Sequence, residues 1–264
     1  MKMKKIIGFI LMFVTIFPLI GCTSGPINTW EKIEERGYVI VGLDDTFAPM
    51  EFRDNAGDLV GFDVDLVKEV GNRLGIEVRF QPIDWDAKVL ELDSGNIDMI
   101  WNGLTITEAR LEEMLFSNPY IANTQMIMVR IDSEIDTIND LVGKKVGVQI
   151  SSAAFDAMSA NPIVDDLLEL VKYDQYNQAL LELENGTIDA VVIDEIMGRY
   201  VISQSVGKYR VASENFAEET YGVGFRLESD SIRDQINLIL NEMITDGKAA
   251  EISMKWFNED IFLR

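Results

Sequence analysis

The sequence predicts an α/β protein built from two similar, doubly wound lobes. Three observations carry that expectation. Runs such as Tyr38–Leu43 and Lys145–Gln149 are short and nearly continuously apolar, the pattern of strands covered on both faces. Helix-patterned segments separate these runs, and strand-helix-strand-helix-strand is the order of a parallel sheet wrapped by helices. The third observation is an internal repeat: Leu90-Glu-Leu-Asp-Ser-Gly95-Asn-Ile97-Asp98 recurs as Leu181-Glu-Leu-Glu-Asn-Gly186-Thr-Ile188-Asp189.

Taken in order, the chain starts with the basic residues MKMKK and a 16-residue apolar run, Ile6–Gly21, short for a membrane span of about 20 residues. Cys22, the single cysteine, follows Leu19-Ile20-Gly21, which resembles the lipobox of bacterial lipoproteins. Residues 1–21 are therefore expected to be a lipoprotein signal peptide. Cleavage leaves Cys22 as a lipid-bearing N-terminus, whose several acyl chains, palmitate among them, anchor firmly where one alone is marginal. A polar tether, 22–29, leads into the folded part.

Trp30–Arg36 reads as a short helix stopped by Gly37, and Tyr38–Leu43 as the first strand. Asp44 and Phe47 stand just past its end, where open parallel sheets bind ligands. Asn55-Ala-Gly57 marks a hairpin tip. Asp63 is placed as the N-cap of a helix whose Leu66, Val67, Val70 and Leu74 share a face, with Gly75 as its stop. A strand over Glu77–Gln81 follows, then a helix opened by Trp85 and ended at Gly95. A strand beginning near Ile97 is expected to stop at Asn102-Gly103. A helix started by Thr107 is expected to end at Asn118-Pro119-Tyr120.

Gln125–Arg130 reads as extended, Asp132–Val142 as containing a short helix, and Lys145–Gln149 as a strand feeding a helix from Ser151. Phe155, Met158, Leu167 and Leu168 are assigned to the core. Leu170–Tyr173, Tyr176–Glu184 and Ala190–Ile193 repeat the first lobe's pattern. Tyr221–Arg226 is extended again, and two helices close the chain, Asp230–Asp246 and Glu251–Phe257.

Composition narrows the function. A formal net charge of −22 argues against nucleic acid and against electrostatic attraction to anionic membranes, and favours cationic or zwitterionic ligands. The sequence has no histidine, and Cys22 is assigned to lipid, so no Ser-His-Asp, Cys-His or His/Cys metal constellation can be assembled. No catalytic residue, metal or cofactor is expected.

The stretch Asp98–Arg110 concentrates the groups an anion needs. Past the strand end at Asn102-Gly103, hydroxyls at Thr105 and Thr107, the free N–H groups of a helix start and the planar guanidinium of Arg110 together suit a small carboxylate. In the repeat, the position of Gly103 is taken by Asp194. One lobe thus offers a carboxylate receptor and the other an ammonium receptor at matching points, as a zwitterion such as an α-amino acid requires.

Four segments extend this reading: Gly61–Leu74 (GFDVDLVKEVGNRL), Ile100–Arg110 (IWNGLTITEAR), Gly143–Ala154 (GKKVGVQISSAA) and Ile188–Glu195 (IDAVVIDE). They resemble, in order, segments of the polar amino-acid family of extracellular solute-binding proteins, the receptors of ABC importers. The resemblance spans Trp30 to Phe257. It implies a two-lobed, type II periplasmic-binding-protein-like fold with a two-strand hinge. Lobe 1 is expected to be discontinuous, 30–123 and 222–264, lobe 2 to cover 124–221, and the crossings to fall near 122–129 and 218–225.

The resemblance also implies roles. Arg110, helped by Thr105, Asn102 and Gly103, matches the holder of the ligand α-carboxylate, and Asp194 matches the partner of the α-ammonium. Phe47 and Trp85 match the aromatics flanking the side chain, and Asp44 a receptor for a distal positive charge. The second lobe's usual Gly-Ser/Thr-Thr turn reads Ser151-Ser152-Ala153 here, leaving Ser152 and backbone N–H groups as contacts. The expected function is capture of a polar L-amino acid, arginine or lysine preferred and glutamine or cystine the alternatives, for delivery to an ABC permease. The protein is expected to be a monomer held by lipid on the outer face of a Gram-positive-type cell membrane. A cleft enzyme of the cyclohexadienyl dehydratase type is the distant rival.

Overall fold

The computed structural model describes residues 29–264; the signal peptide, Cys22 and nearly all of the tether lie outside them. The chain opens with α1 (Trp30–Arg36) and β1 (Tyr38–Leu43). A small sheet of β2 (Thr46–Phe47), β3 (Glu51–Arg53) and β4 (Leu59–Val60) leads into α2 (Phe62–Leu74) and β5 (Glu77–Pro82). A 3₁₀ turn at Trp85–Ala87 runs into α3 (Lys88–Ser94), followed by β6 (Met99–Thr105), α4 (Glu108–Glu113), β7 (Met114–Phe116) and the long β8 (Ile121–Arg130). Then come β9 (Lys145–Gln149), α5 (Ala153–Ala160), β10 (Glu169–Tyr173), α6 (Tyr176–Asn185), β11 (Ala190–Asp194) and α7 (Glu195–Gln204). The longest strand, β12 (Tyr209–Arg226), and helices α8 (Asp230–Thr245) and α9 (Lys248–Phe257) complete the fold.

The strand order, β10-β9-β11-β8-β12-β6-β1-β5, is a palindrome of topology. On one side β5, β1 and β6 are parallel, and on the other β10, β9 and β11 are parallel. Between them β8 and β12 run antiparallel to each other and to their neighbours β11 and β6. The two halves are the two lobes of a type II periplasmic-binding-protein-like fold, and β8 and β12 are the strands they share.

The internal repeat has a physical explanation in this symmetry. Gly95 and Gly186 each end a helix in the left-handed conformation that favours glycine. Asp98 Oδ2 accepts from Ile40 N–H (2.7 Å), and Asp189 Oδ2 accepts from Lys145 N–H (2.9 Å), so each fastens its own strand to the start of the neighbouring one. An arginine from a shared strand then braces each helix end. Arg226 on β12 donates to Leu92 O (2.9 Å), and Arg130 on β8 donates to Leu183 O and Ile188 O (3.0 and 3.1 Å).

Several expectations are corrected. β6 does not stop at Asn102-Gly103: pairing with β12 carries it to Thr105. The helix from Thr107 ends at Glu113 rather than at Asn118-Pro119-Tyr120, because β7 takes the next residues to the edge of β12. Asp63 is not the cap of α2. Gly61 holds that position with φ 149°, where a Cβ would sit 1.9 Å from Met50 O, and Asp63 turns into the core. Leu168 is exposed, since only Leu167 of that pair packs on the second core.

Candidate functional site

Residues at or beyond the carboxyl ends of β1, β5, β6, β9 and β11 line one pocket: Asp44, Phe47, Trp85, Asn102, Gly103, Thr105, Arg110, Gln149, Ser152, Ala153 and Asp194. Nine of the residues selected from the sequence are on this wall. Ser151 and Thr107 are not: the Ser151 carbonyl faces the neighbouring cations, and the Thr107 hydroxyl caps a helix.

Arg110 is buried on α4, whose first turn is capped by the Thr107 hydroxyl (3.2 Å from Arg110 N). One guanidinium nitrogen donates to Thr105 O (2.9 Å) in its own lobe and the other to Ser151 O (3.1 Å) across the pocket. Lys88 Nζ donates to the same Ser151 carbonyl (2.9 Å) and to Trp85 O (3.1 Å). Burial, reinforced by Arg110, pulls the Lys88 ammonium down to about 7. Ser151 itself sits at φ 55°, the left-handed region, which turns its carbonyl toward both cations.

Asp194, at the end of β11, is buried opposite. Its Oδ1 accepts from Asn123 Nδ2 (2.7 Å), Gln125 Nε2 (2.8 Å) and Tyr221 Oη (2.8 Å). Burial first, then the neighbouring Glu219 carboxylate, push it up to about 6, against the hydrogen bonds and Arg110 that favour the anion.

Asp44 closes a third side. Its Oδ1 accepts from Thr46 N and Oγ1 (3.0 and 2.6 Å), and its Oδ2 from Gln149 Nε2 (2.9 Å) in the other lobe. Its own N–H donates to Asn102 Oδ1. Phe47 faces Tyr176 across the lobes with ring centroids 6.1 Å apart. Gly103, at φ 48°, leaves room for that wall, since a Cβ would meet Phe47 and Tyr221 ring carbons at 3.0 Å. Its N–H donates to Asp63 Oδ2 (2.8 Å), which burial pushes up to about 6. The Ser152 hydroxyl donates to Gln149 O (2.7 Å) and caps α5 by accepting from Phe155 N (3.1 Å).

Sequence reasoning missed Gln149, Lys88, Glu219, Asn123 and Gln125. The last two carried a signal: two long amides two apart share one face of a strand that is apolar from Met126 to Val129. Among the described residues no His/Cys/Asp/Glu group has the arrangement of a metal site, and no helix is long and apolar enough to cross a membrane.

A cleft between two similar lobes, lined by a buried guanidinium, two buried carboxylates and aromatic walls, defines a receptor for a small polar solute. The chain belongs to the bacterial extracellular solute-binding proteins, family 3, whose model matches residues 39–259. It is 31% identical over 232 residues to the L-cystine-binding protein TcyJ of Escherichia coli K12, covering 87% of this chain and 86% of that protein. Among solved structures it is similar to an ABC uptake transporter substrate binding protein from Streptococcus pneumoniae with bound histidine. That match has a TM-score of 0.86 and 36% identity, over 89% of this chain and 98% of the other. The arginine-bound form of truncated ArgBP from T. maritima matches with a TM-score of 0.76 and 38% identity, over 81% and 99%. These are solute-binding proteins, not enzymes.

Proposed function

We propose that this chain captures a polar L-amino acid, arginine or lysine in preference to glutamine or cystine, by closing its lobes on it and presenting it to an ABC permease. The observation that carries the reading is the convergence of Arg110 and Asp194, both buried, on one pocket. Each buried charge needs a partner, since an unpaired one costs several kcal/mol. A zwitterion supplies both: its carboxylate meets Arg110, with Thr105, Asn102, Gly103 and Ser152 around it, and its ammonium meets Asp194. The side chain then runs between Phe47 and Trp85 toward Asp44.

The preference for a cationic side chain has separate support. Beside Asp44 and Trp85 a second cavity opens, also lined by Asp84, Asp86 and Asp174, with no basic residue in its wall. Those carboxylates attract a guanidinium or ammonium, whereas the far end of cystine brings a carboxylate along with its ammonium and is neutral overall. Relatives named for cystine, histidine and arginine make an amino acid the common denominator.

The lobes of this reading are 30–123 with 222–264, and 124–221, crossing near 122–129 and 218–225. Secretion by the signal peptide, lipid attachment at Cys22 and action as a monomer on the outer membrane face complete it.

A thermal-shift screen of the twenty amino acids, ornithine and cystine tests the function, because a ligand at 100 times its Kd adds about 2.7 kcal/mol. Arginine and lysine are expected to give the largest shifts. No shift with any amino acid overturns the reading, and a larger shift with cystine or glutamine overturns the preference. Asp44→Asn is expected to weaken arginine about 10- to 100-fold by calorimetry while changing a neutral ligand less than about 3-fold. Equal losses remove Asp44 from side-chain recognition.

Lys88→Met tests closure. Removing the Lys88 contact with Ser151 is expected to speed ligand release about 10-fold in stopped-flow tryptophan fluorescence, leaving association and ligand ranking unchanged. An unchanged release rate means that the contact does not hold the lobes together.

A further inference from the structure

Glu219 lies on β12, one of the two strands shared by the lobes, outside the pocket lining. Its Oε2 accepts from Thr105 Oγ1 (3.1 Å), Gln125 Nε2 (2.9 Å) and Asn123 Nδ2 (3.3 Å). The two amide nitrogens are the same ones that donate to Asp194 Oδ1. Two carboxylates are therefore bridged by two buried amides.

The orientation of those amides is informative. With their nitrogens turned to the carboxylates, Asn123 Oδ1 and Gln125 Oε1 are buried without a hydrogen-bond partner. Leaving a buried acceptor bare costs about 1–3 kcal/mol. The arrangement is reasonable only if both nitrogens answer a concentrated negative charge, which one carboxylate at Asp194 does not need and two carboxylates do.

We infer that Glu219 is a positioning residue of the ammonium subsite, a second carboxylate that acts through the shared amides on Asp194 and through the Thr105 hydroxyl on the strand end beside Arg110. The inference rests on the amino-acid reading above and assigns a residue outside the pocket to it. An arriving ammonium neutralises a pair of acids rather than one, so capture of the ligand's positive end is felt on the strand joining the lobes. The groups facing Asp194 are Asn123 and Gln125 from β8, Glu219 and Tyr221 from β12, Arg110 from α4 and Tyr176 from α6.

Two measurements decide it. The Kd of the tightest amino acid from the screen is followed by calorimetry from about pH 4.5 to 8.5 in the wild type and in Glu219→Gln. The wild type is expected to lose affinity as pH falls through about 6, where Asp194 takes up a proton. In Glu219→Gln that acid limb is expected to move down by about half a unit or more, and affinity at pH 7.5 to drop about 10-fold. A limb at the same pH in both proteins overturns the inference, since a merely structural glutamate would not move it. The second measurement needs no ligand: carboxyl carbon-13 titration of Asp194 in the unliganded wild type and in Glu219→Gln. The Asp194 curve is expected to move to lower pH in the variant, and a curve at the same pH in both proteins overturns the proposal. If no amino acid binds the wild type, the functional reading has failed, and the titration alone still decides whether the two acids act together.

Discussion

Replacing Asp194 by Asn is expected to abolish amino-acid binding, raising Kd by about 30-fold to several thousand-fold, while free protein unfolds at or above the wild-type temperature. The first half follows from charge. Truncating one partner of a buried, hydrogen-bonded ion pair costs about 2–5 kcal/mol, much of it from leaving the other charge unpaired. The second half follows from linkage. Asp194 titrates near 6 in the folded protein, above its value in the unfolded chain of about 4. Such a group adds stability that is complete below pH 4 and is lost as pH rises through 6. Neutral Asn does not suffer that loss, and its side-chain oxygen still accepts from the Tyr221, Gln125 and Asn123 donors. Calorimetry against differential scanning at pH 7.5 separates the two halves, and retained affinity would refute the ammonium role.

Arg110→Lys is the second large effect. The substitution keeps the charge but loses the planar fork, whose two nitrogens reach Thr105 O on one lobe and Ser151 O on the other. One ammonium on a shorter stem cannot span both carbonyls and a ligand carboxylate. Affinity is expected to fall about 100-fold, equivalent to about 2.7 kcal/mol. The loss should be the same for every amino acid, because all share the α-carboxylate. A loss confined to some ligands, or smaller than about 3-fold, would place the carboxylate elsewhere.

The regular parts of this fold were legible because they rest on local physics. Tyr38–Leu43 and Lys145–Gln149 are apolar enough to be buried on both faces, Ile232, Ile236, Leu240 and Met243 follow helical spacing and are all buried, and Gly95 and Gly186 stop helices. The pairing of Gly103 with Asp194 came from aligning the repeat, and the structure sets both on the same pocket. What escaped notice depends on distance in sequence. Gln149 reaches Asp44 over 105 residues, and Lys88 reaches the Ser151 carbonyl over 63. Lys88 opens α3 and is buried there, with the Ser151 carbonyl of the opposite lobe among its partners. Asp63 misled in the other direction: an acid near a helix start suggests a cap, yet Gly61 alone fits under Met50 O, freeing Asp63 to hold Gly103 from behind.

If the lobes close as proposed, the arginine braces on the shared strands are expected to set where the molecule flexes. Arg226 moors β12 to the helix of the first lobe, and Arg130 moors β8 to that of the second. Between those moorings β8 and β12 pair from Ile121 to Gln125 and from Ala217 to Tyr221. Opening and shutting is then expected to be a short-fulcrum motion, its change of backbone twist concentrated in that stretch.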